Sequence, residues 1–190
     1  MKGLRKATVF LAGAAALAAA PHNQQKLEAN LIGFREVPAN STVASGKFTA
    51  TLIDDTTIAY ELTYSGLEGT VTQAHIHFGQ RFVAAGISLW LCQTGTNKDP
   101  TNLAPTCPQE ATGATTVKGN LTAANLVGPA AQGIAGSSTG GTAAEFAEIV
   151  KAIRAGLTYA NVHSSKFGSG EIRGQIRTHG NDNHDDKHHD

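Results

Sequence analysis

Thr72-Gln73-Ala74-His75-Ile76-His77-Phe78-Gly79 is the stretch on which the fold turns. In an extended strand successive side chains point to opposite faces, so Ala74, Ile76 and Phe78 share one side and His75 and His77 the other. The apolar side belongs against a core, which leaves both imidazoles looking away from it. Two later stretches repeat the pattern. In Leu157-Thr158-Tyr159-Ala160-Asn161-Val162-His163, Ala160 and Val162 read as inward and Tyr159, Asn161 and His163 as outward. In Gly170-Glu171-Ile172-Arg173-Gly174-Gln175-Ile176-Arg177, Ile172, Gly174 and Ile176 read as inward, with Glu171, Arg173, Gln175 and Arg177 outside. Three such strands are expected to gather three histidines, two arginines and a glutamate on adjoining outer faces.

The chain before these strands also reads as β. Residues 27–37 read as a first strand, closed by Pro38. Residues 46–52 alternate, with Phe48, Ala50 and Leu52 on one face. Residues 57–64 follow with Ile58, Tyr60, Leu62 and Tyr64 in period two, and Asp54-Asp55 supplies a hairpin turn. Residues 86–92 are nearly apolar on both faces, as expected of a strand in the middle of a sheet. From 93 to 141 the composition shifts to Gly, Thr, Ala, Ser and Asn, with one short strand expected at 119–122. Then the period changes. Thr142-Ala143-Ala144-Glu145 is a capping-box pattern, Phe146, Ile149, Val150 and Ile153 fall at helical spacing, and Gly156 can end the helix. Seven or so short strands with one helix predict an all-β, antiparallel β-sandwich or barrel carrying one short packed α-helix.

At 190 residues, 41% hydrophobic and 16% charged, the chain has the make-up of one globular domain. Its basic opening, Met1-Lys2-Gly3-Leu4-Arg5-Lys6, precedes an apolar run from Ala7 to Ala20 that is too short to span a bilayer. This is the form of a secretory signal peptide, and small residues at Ala16 and Ala18 predict cleavage after Ala18. The expected organisation is thus signal peptide at 1–18, domain at 27–178 and tail at 179–190. Without Lys2, Arg5 and Lys6 the charge is mildly acidic, twelve basic residues to fifteen acidic, with no basic patch to favour nucleic acid. Cys92 and Cys107 are the only cysteines and allow one intramolecular pairing. Closing that loop would constrain the unfolded chain by on the order of 3 kcal/mol, and the spacing is not that of a Cys-x-x-Cys redox pair. The tail holds four histidines and four aspartates in twelve residues and nothing apolar, so it is expected to be disordered. It reads either as a weak collector of divalent metals or as a solvated end. No phosphate-binding loop is present in the sequence.

Taken in order and spacing, Phe34-Arg35-Glu36-Val37-Pro38, Ala74-His75-Ile76-His77-Phe78-Gly79, Tyr159-Ala160-Asn161-Val162-His163 and Gly170-Glu171-Ile172-Arg173-Gly174-Gln175-Ile176 resemble the CHRD (chordin) domain family, from about Leu27 to Arg177. The resemblance implies a secreted or cell-surface β-sandwich module, found in bacterial exported proteins and repeated in animal chordin, a protein that binds growth factors. A fainter similarity is to copper–zinc superoxide dismutases, which share the sandwich architecture, a His-x-His strand, a later histidine and a late arginine. His75, His77, His163 and Arg173 stand in that order here. The Greek-key sandwich is accordingly expected to be immunoglobulin-like or superoxide-dismutase-like. The chain departs from the dismutases in having no histidine between His77 and His163, so the bridging ligand and zinc site have no counterpart. At most one metal would be held, as in copper-only relatives.

Two readings of the histidines stand side by side. Three neutral imidazoles suit one copper ion, with zinc the second choice, and Arg173 would steer an anion toward it. Alternatively His75 and His77 hydrogen-bond Asn161, Glu171 and Arg173 and lock neighbouring strands together. Glu171 and Arg173, two apart on one face, could be no more than a surface ion pair. The expected function is a secreted, periplasmic or extracellular, binding or structural module whose partner is another extracellular protein or a further copy of itself. The competing classes are a copper-only dismutase-like oxidoreductase and a subunit of an extracellular assembly.

Overall fold

The computed structural model describes residues 24–109 and 113–178; the expected signal peptide and the His/Asp-rich tail lie outside them. The alternation read from the sequence becomes strand geometry. β1 (Gln25–Ile32) pairs antiparallel with β2 (Ser45–Asp54), and β2 with β3 (Thr57–Ser65) across the Asp54–Thr57 turn. β4 (Val71–Phe78) lies between β5 (Ile87–Cys92) and β7 (Thr158–Ser164), and β8 (Ile172–Gln175) follows β7. With β6 (Thr115–Leu121) beyond β3, the order is β5-β4-β7-β8-β1-β2-β3-β6, and β9 (Arg177–Thr178) pairs with β1.

The β1–β8 joint is a single residue pair, Ile32 with Arg173. That narrow joint divides the run into two antiparallel halves that close over one core, where Phe48, Ile58 and Leu62 meet Ile76, Leu89 and Val162. Burying a side chain of that size stabilises the fold by about 1.5–3 kcal/mol. The Tyr60 hydroxyl of β3 donates to the Leu91 carbonyl of β5 at 2.5 Å, a polar link between the halves. The chain crosses between halves from β3 to β4, from β5 to β6 and from β6 back to β7, the Greek-key pattern expected. The single helix, α1 (Ala143–Arg154), is as read: Thr142 Oγ1 accepts from the Glu145 N–H and the Glu145 carboxylate accepts from the Thr142 N–H. Its Phe146, Ile149, Val150 and Ile153 complete the core. Cys92 and Cys107 form the disulfide.

Three elements differ from the sequence reading. The first strand ends at Ile32, not at residue 37, because Gly33–Arg35 turn as a 3-10 helix and the Gly33 carbonyl accepts from both Glu36 and Asn40 N–H. β5 lies at the end of the strand order, not mid-sheet. Its free edge is covered by the segment after β6, where Leu126 bridges Leu89 and Val127 N–H donates to the Ser88 carbonyl, and Trp90 on its outer face packs on His75. β6 begins at Thr115, four residues before the strand expected at 119–122. Only Val117 and Leu121 in it are apolar, and Gly119 interrupts the alternation because the Tyr60 ring lies where its side chain would be, 2.8 Å from a Cβ built there.

Candidate metal centre

β4 and β7 pair with His75 opposite Asn161, His77 opposite Tyr159 and Gln73 opposite His163. His163 is thus the diagonal neighbour of His75, within reach of a ring side chain. Parity holds as read: Ala74, Ile76, Ala160 and Val162 belong to the core, and the histidines lie on the opposite side of the sheet. The expectation that they face outward is corrected. His75 is 0% exposed and His77 and His163 are 6% exposed. Loops roof this face, and they do so through hydrogen bonds to the rings themselves.

Nδ1 of His77 lies 2.8 Å from the Ala85 carbonyl, in the loop between β4 and β5. Nδ1 of His163 lies 3.0 Å from the Gly168 carbonyl, in the loop between β7 and β8. A carbonyl oxygen only accepts, so each Nδ1 carries the proton, and a neutral ring then has its lone pair on Nε2. Burial holds the rings neutral. It pushes the pKa of His77 down to about 4 and that of His163 below its usual value, and takes His75 well below, with charge on its two histidine neighbours adding to the effect on His75. His75 Nδ1 lies 3.2 Å from His163 Nε2, while His75 Nε2 is buried with no hydrogen-bond partner. One nitrogen from each ring falls within 4.8 Å of the other two.

These features fit a cation held by nitrogen ligands. Two imidazole nitrogens bound at 2.0–2.1 Å to one tetrahedral ion stand about 3.3 Å apart, close to the 3.2 Å between His75 and His163. A ligating histidine ordinarily gives its second ring N–H to a carbonyl or carboxylate, which fixes the tautomer and ring orientation. His77 and His163 are held in that way. Of the strand-locking reading one contact is present, His77 Nε2 at 3.1 Å from Asn161 Oδ1, and with the ring proton on Nδ1 both of those atoms are acceptors. That network leaves His75 Nε2 unserved, and a buried polar atom without a partner costs about 1–3 kcal/mol.

The surroundings depart from expectation in the acidic residue. Glu171 is fully buried but turned away, with Oε1 accepting from the Thr42 hydroxyl and the Glu68 N–H, and it forms no ion pair with Arg173. The carboxyl beside Asn161 is Glu36, which receives the Asn161 amide at 3.4 Å. Burial pushes the Glu36 pKa up to about 7, against the opposing pull of Arg173 and the Asn161 hydrogen bond. Arg173 is buried as well; its guanidinium carbon lies 3.3 Å from the centre of the Tyr159 ring, which stacks on His77 at 4.6 Å. Trp90, opposite His75 on β5, closes the other side with ring centres 4.3 Å apart. Glu36, Tyr159 and Trp90 were not assigned to the site from sequence. Tyr159 was signalled by its outward parity, whereas Glu36 comes from a turn whose path no periodicity reveals.

A family model described as the CHRD domain matches residues 27–176. No curated protein matches the chain, and no solved structure does. Among the described residues no helix is long and apolar enough to cross a membrane.

Proposed function

The chain belongs to the CHRD domain family, and from that membership and the histidine geometry we propose that it is an exported binding or structural module holding one metal ion on His75, His77 and His163. The carrying observation is the set of three buried neutral imidazoles with one nitrogen from each within 4.8 Å of the others, two of them fixed by backbone carbonyls so that Nε2 carries the lone pair, and the third with an orphaned nitrogen. Copper is the first choice, because imidazole sites rank it above zinc and neither thiolate nor carboxylate joins the donor set. A disulfide is at home in an oxidising compartment, which supports export.

The near-complete cover over the rings favours a retained ion over one that turns substrate over, since a catalytic metal keeps an open position. The Ala85 carbonyl and the Tyr159 ring orient His77, and the Arg173 guanidinium over Tyr159 places a positive charge behind the stack. Metal analysis of the purified protein tests the assignment. One copper per chain is expected to remain when the chain is cut after Thr178 and to disappear in His75→Ala. Metal that leaves with the His/Asp-rich tail would sink the assignment. If copper remains, a superoxide assay on the loaded protein separates a carrier or structural ion from a dismutase-like one, and no turnover above free copper is expected.

A further inference from the structure

A second site lies one layer further out on the β1–β8–β9 surface. Residues of β1 and β8 that point away from the core, Asn30, Arg173 and Gln175, form the floor of a cavity of about 270 Å³ with Arg177 of β9. Its walls are Arg35, from the 3-10 turn after β1, and Arg81, from the loop after β4. Four arginines thus line one small cavity. Among the described residues none of the four is within ion-pair distance of a carboxylate. The one acid in the lining, Glu28, stands opposite Arg177 in the β1–β9 pairing but lies 3.5 Å from Lys47 instead.

The other contacts of these arginines position them without neutralising them. Arg35 Nη1 donates to the Asn30 carbonyl at 2.6 Å and Arg173 Nη2 to the Gln80 carbonyl at 3.0 Å. Arg81 lies over the Phe82 ring, 5.7 Å from its centre. Like charges gathered in a concavity with low-dielectric walls focus a positive potential there, and each planar fork matches an oxyanion through paired hydrogen bonds. The volume, just under the usual range for ligand pockets, limits the occupant to a small molecule.

We propose that this cavity binds a small polyanion carrying two or more phosphate or carboxylate groups. The cavity shares Arg173 with the surroundings of the histidine triad, but none of the three histidines lines it, so loss of metal in His75→Ala and loss of anion in the arginine variant are distinguishable. Titration calorimetry on the metal-free full chain tests it, with pyrophosphate and citrate as probes and acetate as the singly charged control. Saturable one-to-one binding is expected for at least one of the two polyanions, with Kd below about 1 mM at low salt, weakening several-fold at physiological ionic strength. Which of them binds tighter identifies phosphate or carboxylate as the preferred group. Arg35 and Arg81 are exposed and make no core contact, so Arg35→Gln/Arg81→Gln is expected to fold and to bind at least tenfold more weakly. His75→Ala is expected to lose the metal and keep the anion. An absence of saturable binding at low salt, or an affinity left unchanged by the double variant, would overturn the proposal.

Discussion

A methyl group at Gly170 would lie 2.3 Å from Glu36 Oε1, at a backbone φ of +125° that side-chain-bearing residues rarely adopt. Gly170→Ala should therefore cost about 2–4 kcal/mol through strain and overlap. Adding Glu36→Ala should recover the overlap part and not the strain part, as urea denaturation of the two variants would reveal. Glu36 itself carries a pH signature. Its raised pKa means that the folded state prefers the protonated acid. The stability this lends is whole below the ordinary carboxylate value of 4.5 and is lost as pH rises through about 7. The span corresponds to about 3 kcal/mol at most. The depressed histidines act in the opposite sense, since acid that charges them costs stability as pH falls below 6.5. They are common to wild type and Glu36→Gln, so the difference between the two isolates Glu36. Wild type is expected to lose stability relative to the variant between pH 4.5 and pH 8; parallel curves would contradict the buried acid. At this scale parity gave the three histidines their shared face, because period two is a local property of extended backbone. Burial was not legible, because the roof comes from loops distant in sequence from the strands they cover.

Among the elements, α1 and the β2–β3 hairpin were the most legible, since each is specified by contacts within its own stretch. The capping box at Thr142 and Glu145 is one such contact. Thr142→Ala should cost about 1 kcal/mol in thermal or urea unfolding, and a loss below about 0.3 kcal/mol would mean that packing of Phe146 and Ile149 alone holds the helix. β5 was less legible. An apolar run reads the same in the middle of a sheet and at an edge that a returning loop covers, and here Leu126 and Val127 cover the edge. The disulfide at Cys92 ties the far end of β5 to the loop that returns past Thr106, where Gln93 and Thr106 form an isolated parallel bridge. Replacing both cysteines with serine should lower stability by about 3 kcal/mol. Because the loop is anchored beside β4 and not to the rings, any metal held on the triad should survive the replacement. If copper were lost with the disulfide while the fold remained, the triad would need the loop for its geometry.

The whole molecule has two interiors: the apolar core between the halves, and a polar one on the outer side of β4, β7 and β8. The second is closed by main-chain atoms of loops, Ala85 against His77 and Gly168 against His163. An ion on the three rings would therefore strengthen the attachment of those loops to the sheet as well as fill a site. Binding to the folded state alone stabilises it by about 2.7 kcal/mol when free metal is one hundred times Kd. For a domain of this size that corresponds to a Tm rise of roughly 5–10 °C. His163→Ala should abolish the rise, and the chain cut after Thr178 should keep it. Amide hydrogen exchange gives a second readout at the roof itself. Ala85 N–H donates to the Tyr159 hydroxyl and Gly170 N–H to the Phe167 carbonyl, so both should exchange more slowly in the loaded protein. The amides of β2 and β3, in the other half, should change only as far as global stability changes. A Tm rise that persists in His163→Ala, with roof amides unaltered by metal, would place the ion on the surface and leave the polar interior as a purely structural network.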